Sequence, residues 1–419
     1  MTEPLLRNLT LLLPLVAVVA AAVVRDRRGE LRERVAAAVL ATLLAWTGVL
    51  AVESLGSWWV FADGPSTVLG MPLETSLGWA LGWGALPVIA GGRPVLWWLG
   101  FVWSDVLLVP RLGPLVRLGD DWLLGEAVLL VVVAAPALVL GRATHTHRHL
   151  GLRVALQALT FTALVGWAVP TLALARDDLG WADVVDHSFA VRGLLLLGAV
   201  LVGVPVLAAV AELWRVGEGT PFPWDPPVRL VTTGPYAYLH NPMQTGASLL
   251  LALLAGAAGS VTLGLGVLVA VVFSVAVAER HESAVLADRW PGYRGYRAAV
   301  RGWVPRRRPY VGAGSTLWVS RTCGLCAETG EAVQLLRPEG LIVRAAEEAG
   351  RPLVRMRWEE GRTSDDGVRA LARALELSGL GWAWVGWLVR LPVLGSGVQA
   401  VADACGLGPR TLPMRTVSP

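Results

Sequence analysis

The stretch FAVRGLLLLGAVLVGVPVLAAVAELW, residues 189–214, decides the fold class. It is long and apolar enough to cross a hydrocarbon core about 30 Å thick, which takes roughly 20 residues of helix. Working outward, comparable windows run over 8–24, 35–52, 68–89, 94–110, 122–140 and 154–174, and a shorter apolar hairpin follows over 246–258 and 261–278. About nine spanning or half-spanning helices are therefore expected. The bulk numbers agree: among 419 residues, 54% are hydrophobic and the mean hydropathy is +0.56, well above soluble domains.

The first apolar window has no small-residue cleavage pattern and is followed by further spans, so it reads as an anchor rather than a removable signal. Arginine placement then sets an expected orientation, because basic loops stay in the cytoplasm. Arg25, Arg27, Arg28, Arg32 and Arg34 follow the first helix, Arg142, Arg148 and Arg153 the fifth, and Arg289 to Arg308 the last. The alternate loops carry Asp63, Asp120, Asp121, Asp177, Asp178, Asp183 and Asp186. One topology satisfies all of them, with the N-terminus outside and the C-terminus in the cytoplasm. The net charge of +4 comes from these arginines, there is no Lys, and a nucleic-acid partner is not needed to explain it. Trp58, Trp59, Trp97, Trp98, Trp181 and Trp214 lie near expected helix ends and read as interface anchors.

Composition divides the chain into three modules: a helical bundle over 1–150, a polar-motif membrane region over 151–310, and a tail over 311–419 that loses transmembrane periodicity and reads as a small soluble domain. In the tail, a β-branched run over 316–320 leads into Cys323-Gly-Leu-Cys326 and an amphipathic segment ending near Leu336. Strand, C-x-x-C and helix in that order is thioredoxin-like. Residues 352–358 alternate like a strand, and 366–377, 382–391 and 397–405 have helical spacing. The fold class expected is thus mainly α, a polytopic membrane protein with a small C-terminal α/β thioredoxin-like domain.

The chemistry concentrates in two polar segments around the apolar hairpin. VTTGPYAYLHNPMQTG, residues 231–246, is punctuated by Pro and Gly, and AERHESAVLADRWPGYRGYRAAV, residues 278–300, returns to the same side. Gly234-Pro235-Tyr236, Tyr238, Asn241-Pro242-Met243 and Gly246, with the preceding TPFPWDPP, resemble the signature of the isoprenylcysteine carboxyl methyltransferase and phospholipid methyltransferase families. Glu279, Glu282, Tyr293, Tyr296, Trp303 and Pro305 resemble the companion motif, and the likeness spans roughly 153–310. It implies S-adenosylmethionine as cofactor and methyl transfer to a lipophilic acceptor reached from the bilayer. By the same resemblance Gly234, Pro235, Tyr236, Tyr238, His240, Asn241, Pro242, Glu279 and Glu282 would bind the cofactor, and His240, Asn241 and Glu282 would act in catalysis. Glu279 and Glu282, three apart on a helix, share a face. His240 stands where the family usually has Arg, and His is only partly charged near neutral pH. His281 likewise replaces a carboxylate.

The tail segment LWVSRTCGLC, with Gly361, Gly367, Leu391-Pro392 and Arg410 downstream, resembles the DCC family of thiol-disulfide oxidoreductase-like proteins. That likeness implies a redox pair: Cys323 at a helix N-terminus has its thiolate stabilised and Cys326 resolves the mixed disulfide. Ser320 and Arg321 replace the Asp-Gly usual before the cysteines, so an inert structural remnant is the alternative. Cys405 reads as a buried small hydrophobe. No metal set is expected, and His145, His147 and His149 read as surface. In the N-terminal bundle Glu53, Glu74, Asp105 and Glu126 lie within or beside apolar helices and should face a cavity or a partner. The sequence thus favours an integral membrane methyltransferase. The rivals are a membrane-tethered thiol-disulfide oxidoreductase and a non-catalytic scaffold.

Overall fold

The computed structural model describes residues 2–409 apart from Arg28, Ser57, Asp63, Pro65 and Pro226. The side chains of Glu33, Ala278, His281, Glu282 and Ala284 also lie outside the described residues, as does Arg410. The chain forms two compact units, one comprising 1–181 with 220–226 and the other 182–219 with 227–419.

In the first unit, α1 (Glu3–Asp26), α2 (Leu31–Glu53), α3 (Leu73–Ala80), α4 (Pro94–Leu108), α5 (Trp122–His145) and α6 (Leu150–Arg176) form a helical bundle. Short ribbons pair β1 (Trp59–Phe61) with β4 (Val116–Leu118), and β2 (Thr67–Val68) with β3 (Met71–Pro72), all antiparallel. The core joins Leu40, Leu44, Val49 and Trp83 to Leu129, Val133 and Leu140. Trp59 departs from its expected place at the membrane interface. It is buried on β1, and its indole N–H donates to Glu53, so a polar partner inside outweighs the headgroup layer. Asp105 and Glu126 are buried too, and both carboxyl oxygens of Glu126 lack a hydrogen-bond partner among the described residues.

The second unit opens with α7 (Phe189–Arg215), whose 27 residues reach about 40 Å at 1.5 Å per residue. Two shorter apolar helices, α8 (Pro242–Ala258) and α9 (Val261–Phe273), form the hairpin. Their junction is written in two residues: Gly259, at φ +69°, ends α8 in the left-handed region, and the Ser260 hydroxyl caps α9 by accepting from Leu263 N at 3.1 Å. A Cβ on Gly246 would stand 2.1 Å from Val206, so glycine there lets α8 lie close against α7. A π-helical turn, Ser274–Ala278, carries α9 on into α10 (Glu279–Arg289), and α11 (Tyr293–Ala299) follows.

After α11 comes a four-stranded sheet in the order β6 (Leu341–Ala345), β5 (Ser315–Val319), β7 (Arg357–Glu360), β8 (Thr363–Asp366). β5 and β6 run parallel through α12 (Gly324–Leu335), and the other pairs are antiparallel. The third strand starts later than the alternation of 352–358 suggests, since Pro352 has no N–H to give a ladder and pairing begins at Arg357. α13 (Val368–Glu376), α14 (Leu380–Arg390) and α15 (Pro392–Ala402) complete the unit.

Among the described residues five helices, α1, α2, α5, α6 and α7, are long and apolar enough to cross a membrane. The remaining apolar windows give shorter helices; 94–110, for instance, yields the 15 residues of α4. The tail also carries an apolar helix pair. α14 and the helix from Pro392 to Leu407 together pass as an apolar pair bent by 89°, the bend falling at Leu391-Pro392.

Candidate functional site

The sequence 231–246 folds as a 3-10 turn, Gly234–Ala237, leading to Asn241, with Pro242 as the first residue of α8. Gly234 sits at φ +61°, where a side chain is strained, and a Cβ there would stand 3.1 Å from the Glu212 carboxyl carbon. The returning segment clamps this turn through its backbone. His240 N donates to Arg301 O at 2.9 Å, Asn241 N to Gly302 O at 3.3 Å, and Arg306 N to Tyr238 O at 2.9 Å. The two segments singled out in the sequence therefore meet.

Their side chains form one directional hydrogen-bond chain. The Glu279 carboxylate, ion-paired with Arg297, only accepts, so Asn241 must turn its amide N–H toward it, Nδ2 to Oε2 at 3.3 Å. That leaves Asn241 Oδ1 for His240 Nδ1 at 2.7 Å, which must then carry the proton. His240 Nε2 accordingly accepts from the Tyr293 hydroxyl at 3.0 Å, and Ser283 donates to Tyr293 at 3.0 Å. Burial, with the Arg297 charge nearby, pushes His240 down to about 4 against the pull of its Asn241 bond. Its imidazole is neutral at neutral pH, not partly charged as the bare residue type suggests. The ring packs against Tyr293 and Tyr296, with centroids 5.8 and 5.6 Å away.

Three further buried polar atoms flank this chain without a hydrogen-bond partner among the described residues: Gln244 Oε1, Thr245 Oγ1 and Trp303 Nε1. Gln244 and Thr245 lie in the first turn of α8 after Asn241, and Trp303 follows Gly302. An acceptor, a hydroxyl and a donor left bare beside a turn rich in polar groups suit a ligand carrying both donors and acceptors.

Of the residues singled out by sequence, His240, Asn241, Pro242, Glu279, Tyr293 and Tyr296 come together here. Glu282 belongs to α10, but its side chain lies outside the described residues. Tyr236 is reached through its carbonyl, which accepts from Tyr296 Oη at 2.8 Å. Tyr238 faces elsewhere. Its hydroxyl donates to Glu376 O at 2.7 Å and its ring meets Trp387 edge-on at 5.6 Å.

Sequence reasoning missed a second cluster behind the turn. Glu212, fully buried near the end of α7, accepts from Arg373 and Arg390 at 2.7 Å each, and also from the Thr233 hydroxyl. Glu376 pairs with Arg390 at 2.6 Å and Arg373 at 3.3 Å, while Asp365 takes Arg373 Nε at 2.9 Å. Arg373 also lies over the Trp358 ring, 4.8 Å from its centroid. A glutamate inside an apolar span was the signal for this cluster, and Arg297 was overlooked among the basic loop residues.

In the tail, Cys323 caps α12 and its sulfur lies 2.7 Å from that of Cys326. Both line a cavity of about 90 Å³ with Met356, Val368 and Leu371. In place of the missing Asp-Gly, the Glu347 carboxylate accepts from Ser320 Oγ at 2.8 Å and from Arg321 N at 3.1 Å. Cys405 is exposed rather than buried, because the chain leaves α15 in a loose turn with Gly406 at φ +94°. His147 and His149 are exposed, with His147 Nδ1 3.5 Å from the buried Asp225 carboxylate, whereas His145 is half-buried rather than on the surface.

Residues 194–290, from α7 to the end of α10, match the model of the phospholipid methyltransferase family. No curated protein and no solved structure matches the chain.

Proposed function

We propose that this protein is an integral membrane methyltransferase that uses S-adenosylmethionine and acts on a lipophilic acceptor. The observation that carries the reading is the meeting of Asn241 with Glu279 across the α8–α9 hairpin, both within the segment that matches the phospholipid methyltransferase model. Bound there, S-adenosylmethionine supplies an electrophilic methyl group on a cationic sulfonium. Asn241, Glu279 and Glu282 would hold it, with Gln244, Thr245 and Trp303 completing the polar set.

The chain's own part is then positioning and exclusion of water, the main source of acceleration when the leaving group is already good. His240 works as a positioning residue. Both its ring nitrogens are occupied by Asn241 and Tyr293, and a ring held neutral down to about pH 4 is a weak base. That favours an acceptor already nucleophilic on arrival, such as a lipid carboxylate, over one that must first lose a proton. In this reading the basic loops lie in the cytoplasm and the cofactor enters from that side.

The test is incorporation of labelled methyl groups from S-adenosylmethionine into lipid extracts by the purified protein in vesicles. Glu282→Ala should abolish it with the protein still in the membrane, and unchanged incorporation would remove Glu282 from the site. No incorporation by the native protein into any lipid fraction would remove the reading itself. One observation favours a second activity, thiol–disulfide exchange: the two sulfurs 2.7 Å apart at the start of α12, on an open cavity. A mixed disulfide trapped on Cys326→Ser would support it, and an unreactive Cys323 would leave a scaffold.

A further inference from the structure

Pro205 lies inside α7 and has no N–H, so the Leu201 carbonyl four residues earlier loses its helical donor. Leu201 is the thirteenth of the 27 residues of α7, roughly 20 Å from either end, and an orphan carbonyl turned to lipid there would be costly. The donor comes from the far end of the chain: Trp384 Nε1, on α14, reaches Leu201 O at 3.2 Å. Ala383 and Trp387 of the same helix pack on Val204 and Ala208, and Arg390 at its end joins Glu212. α14 therefore lies along α7 from its middle to its end, with Leu380 N at the start of α14 donating to Arg307 O at 3.0 Å.

The composition fits that place. From Gly379 to Ala402 the one charged side chain is Arg390, and it is buried in the ion cluster. The outward faces of α14 and α15 carry Trp382, Val385, Val393, Leu394, Val398 and Val401, all exposed in the protein, Val393 at 85%. A soluble domain rarely shows so continuous an apolar face. Here it continues the lipid-facing surface of α7, where Leu194, Leu197 and Leu201 are also exposed.

The geometry points to a further membrane element: α14 and α15, bent by 89° at Leu391-Pro392, form a re-entrant hairpin whose outer face is covered by lipid acyl chains. The tail is then a membrane-seated module rather than a soluble one on a tether. Of the possible occupants, lipid is the one continuous with the surface of a spanning helix.

The full chain in phospholipid vesicles tests this. A phospholipid with a photoactivatable carbene precursor near the end of an acyl chain should, on irradiation, leave adducts on 380–402 at a yield comparable with that on α7. Adducts on α7 with none on 380–402 would overturn the assignment, as would protein–protein crosslinks at 380–402 in their place. A second reading is independent of the first. With Cys323, Cys326 and Cys405 changed to Ser, a nitroxide at Val393→Cys should be relaxed by oxygen more than by an aqueous nickel chelate. At Leu335→Cys, on exposed α12, the order should reverse. Equal nickel access at the two positions would overturn the proposal.

Discussion

Two polar clusters stand on either side of the Gly234–Ala237 turn and are built on opposite principles. Behind it, Glu212, Arg373, Arg390 and Glu376 are ions with almost no exposure, each held by at least two others. In front of it, His240, Asn241, Tyr293 and Ser283 are uncharged, and the ion pair of Glu279 with Arg297 keeps its guanidinium about a third exposed. A closed ionic cluster suits a staple, because every charge is already spoken for. A neutral chain ending in an ion pair whose guanidinium is partly open suits a site that receives something. On the proposed function, stability falls to the rear cluster and activity to the front one.

The largest effect should come from the rear. Arg373→Ala leaves Glu212 and Asp365 short of a partner inside the protein, and breaking such a buried pair costs about 3–5 kcal/mol. Denaturant unfolding in micelles should show a loss of that order, with release of the tail from α7. A loss below about 1 kcal/mol, the level of a surface pair, would mean that the cluster is no staple.

Acid should next act through His240. Its folded value, about 4, lies below its ordinary 6.5, so on acidification the unfolded chain takes up the proton first. The stability due to the neutral ring is fully present above about pH 6.5 and is lost as pH falls toward 4, on the order of 3 kcal/mol for that interval. Between pH 7 and 8 this residue should contribute no slope. His240→Gln should flatten the wild-type decline between pH 6.5 and 4, and an unchanged decline would place its origin elsewhere.

Glu279→Ala sharpens the contrast from the front. The pair with Arg297 is partly exposed and should be worth no more than about 1 kcal/mol of stability. Methyl transfer should nevertheless fall on the order of a hundredfold, the usual consequence of misplacing a positioned group. Equal effects on both quantities would erase the distinction between the clusters.

How far each cluster was legible in the sequence follows from where its members lie. His240, Asn241 and Glu279 sit in two compact motifs, so the sequence brought them forward together. Arg297 was in plain view but counted as a topology signal, since an arginine in a basic loop carries no mark of its partner. Glu212 with Arg373 is a pairing 161 residues apart, which no local pattern encodes. Residues 382–391 were legible as a helix, and their docking on α7 was not. That docking includes a carbonyl on α7, 183 residues before the indole that satisfies it.

That last pairing yields the smallest prediction, and it isolates a cause. If the Trp384 indole serves the carbonyl that Pro205 leaves bare, then Trp384→Phe should cost about 1 kcal/mol, the scale of a hydrogen bond between membrane helices. In a Pro205→Ala background the new N–H at 205 can take Leu201 O by the ordinary helical bond, and the same Trp384→Phe change should then cost close to nothing. Unfolding of the wild type, the two single variants and the double variant gives the coupling directly. An equal cost of Trp384→Phe in both backgrounds would assign the indole to packing alone. A coupling of the predicted sign would show that a proline in one helix specifies where another helix, nearly two hundred residues later, must dock.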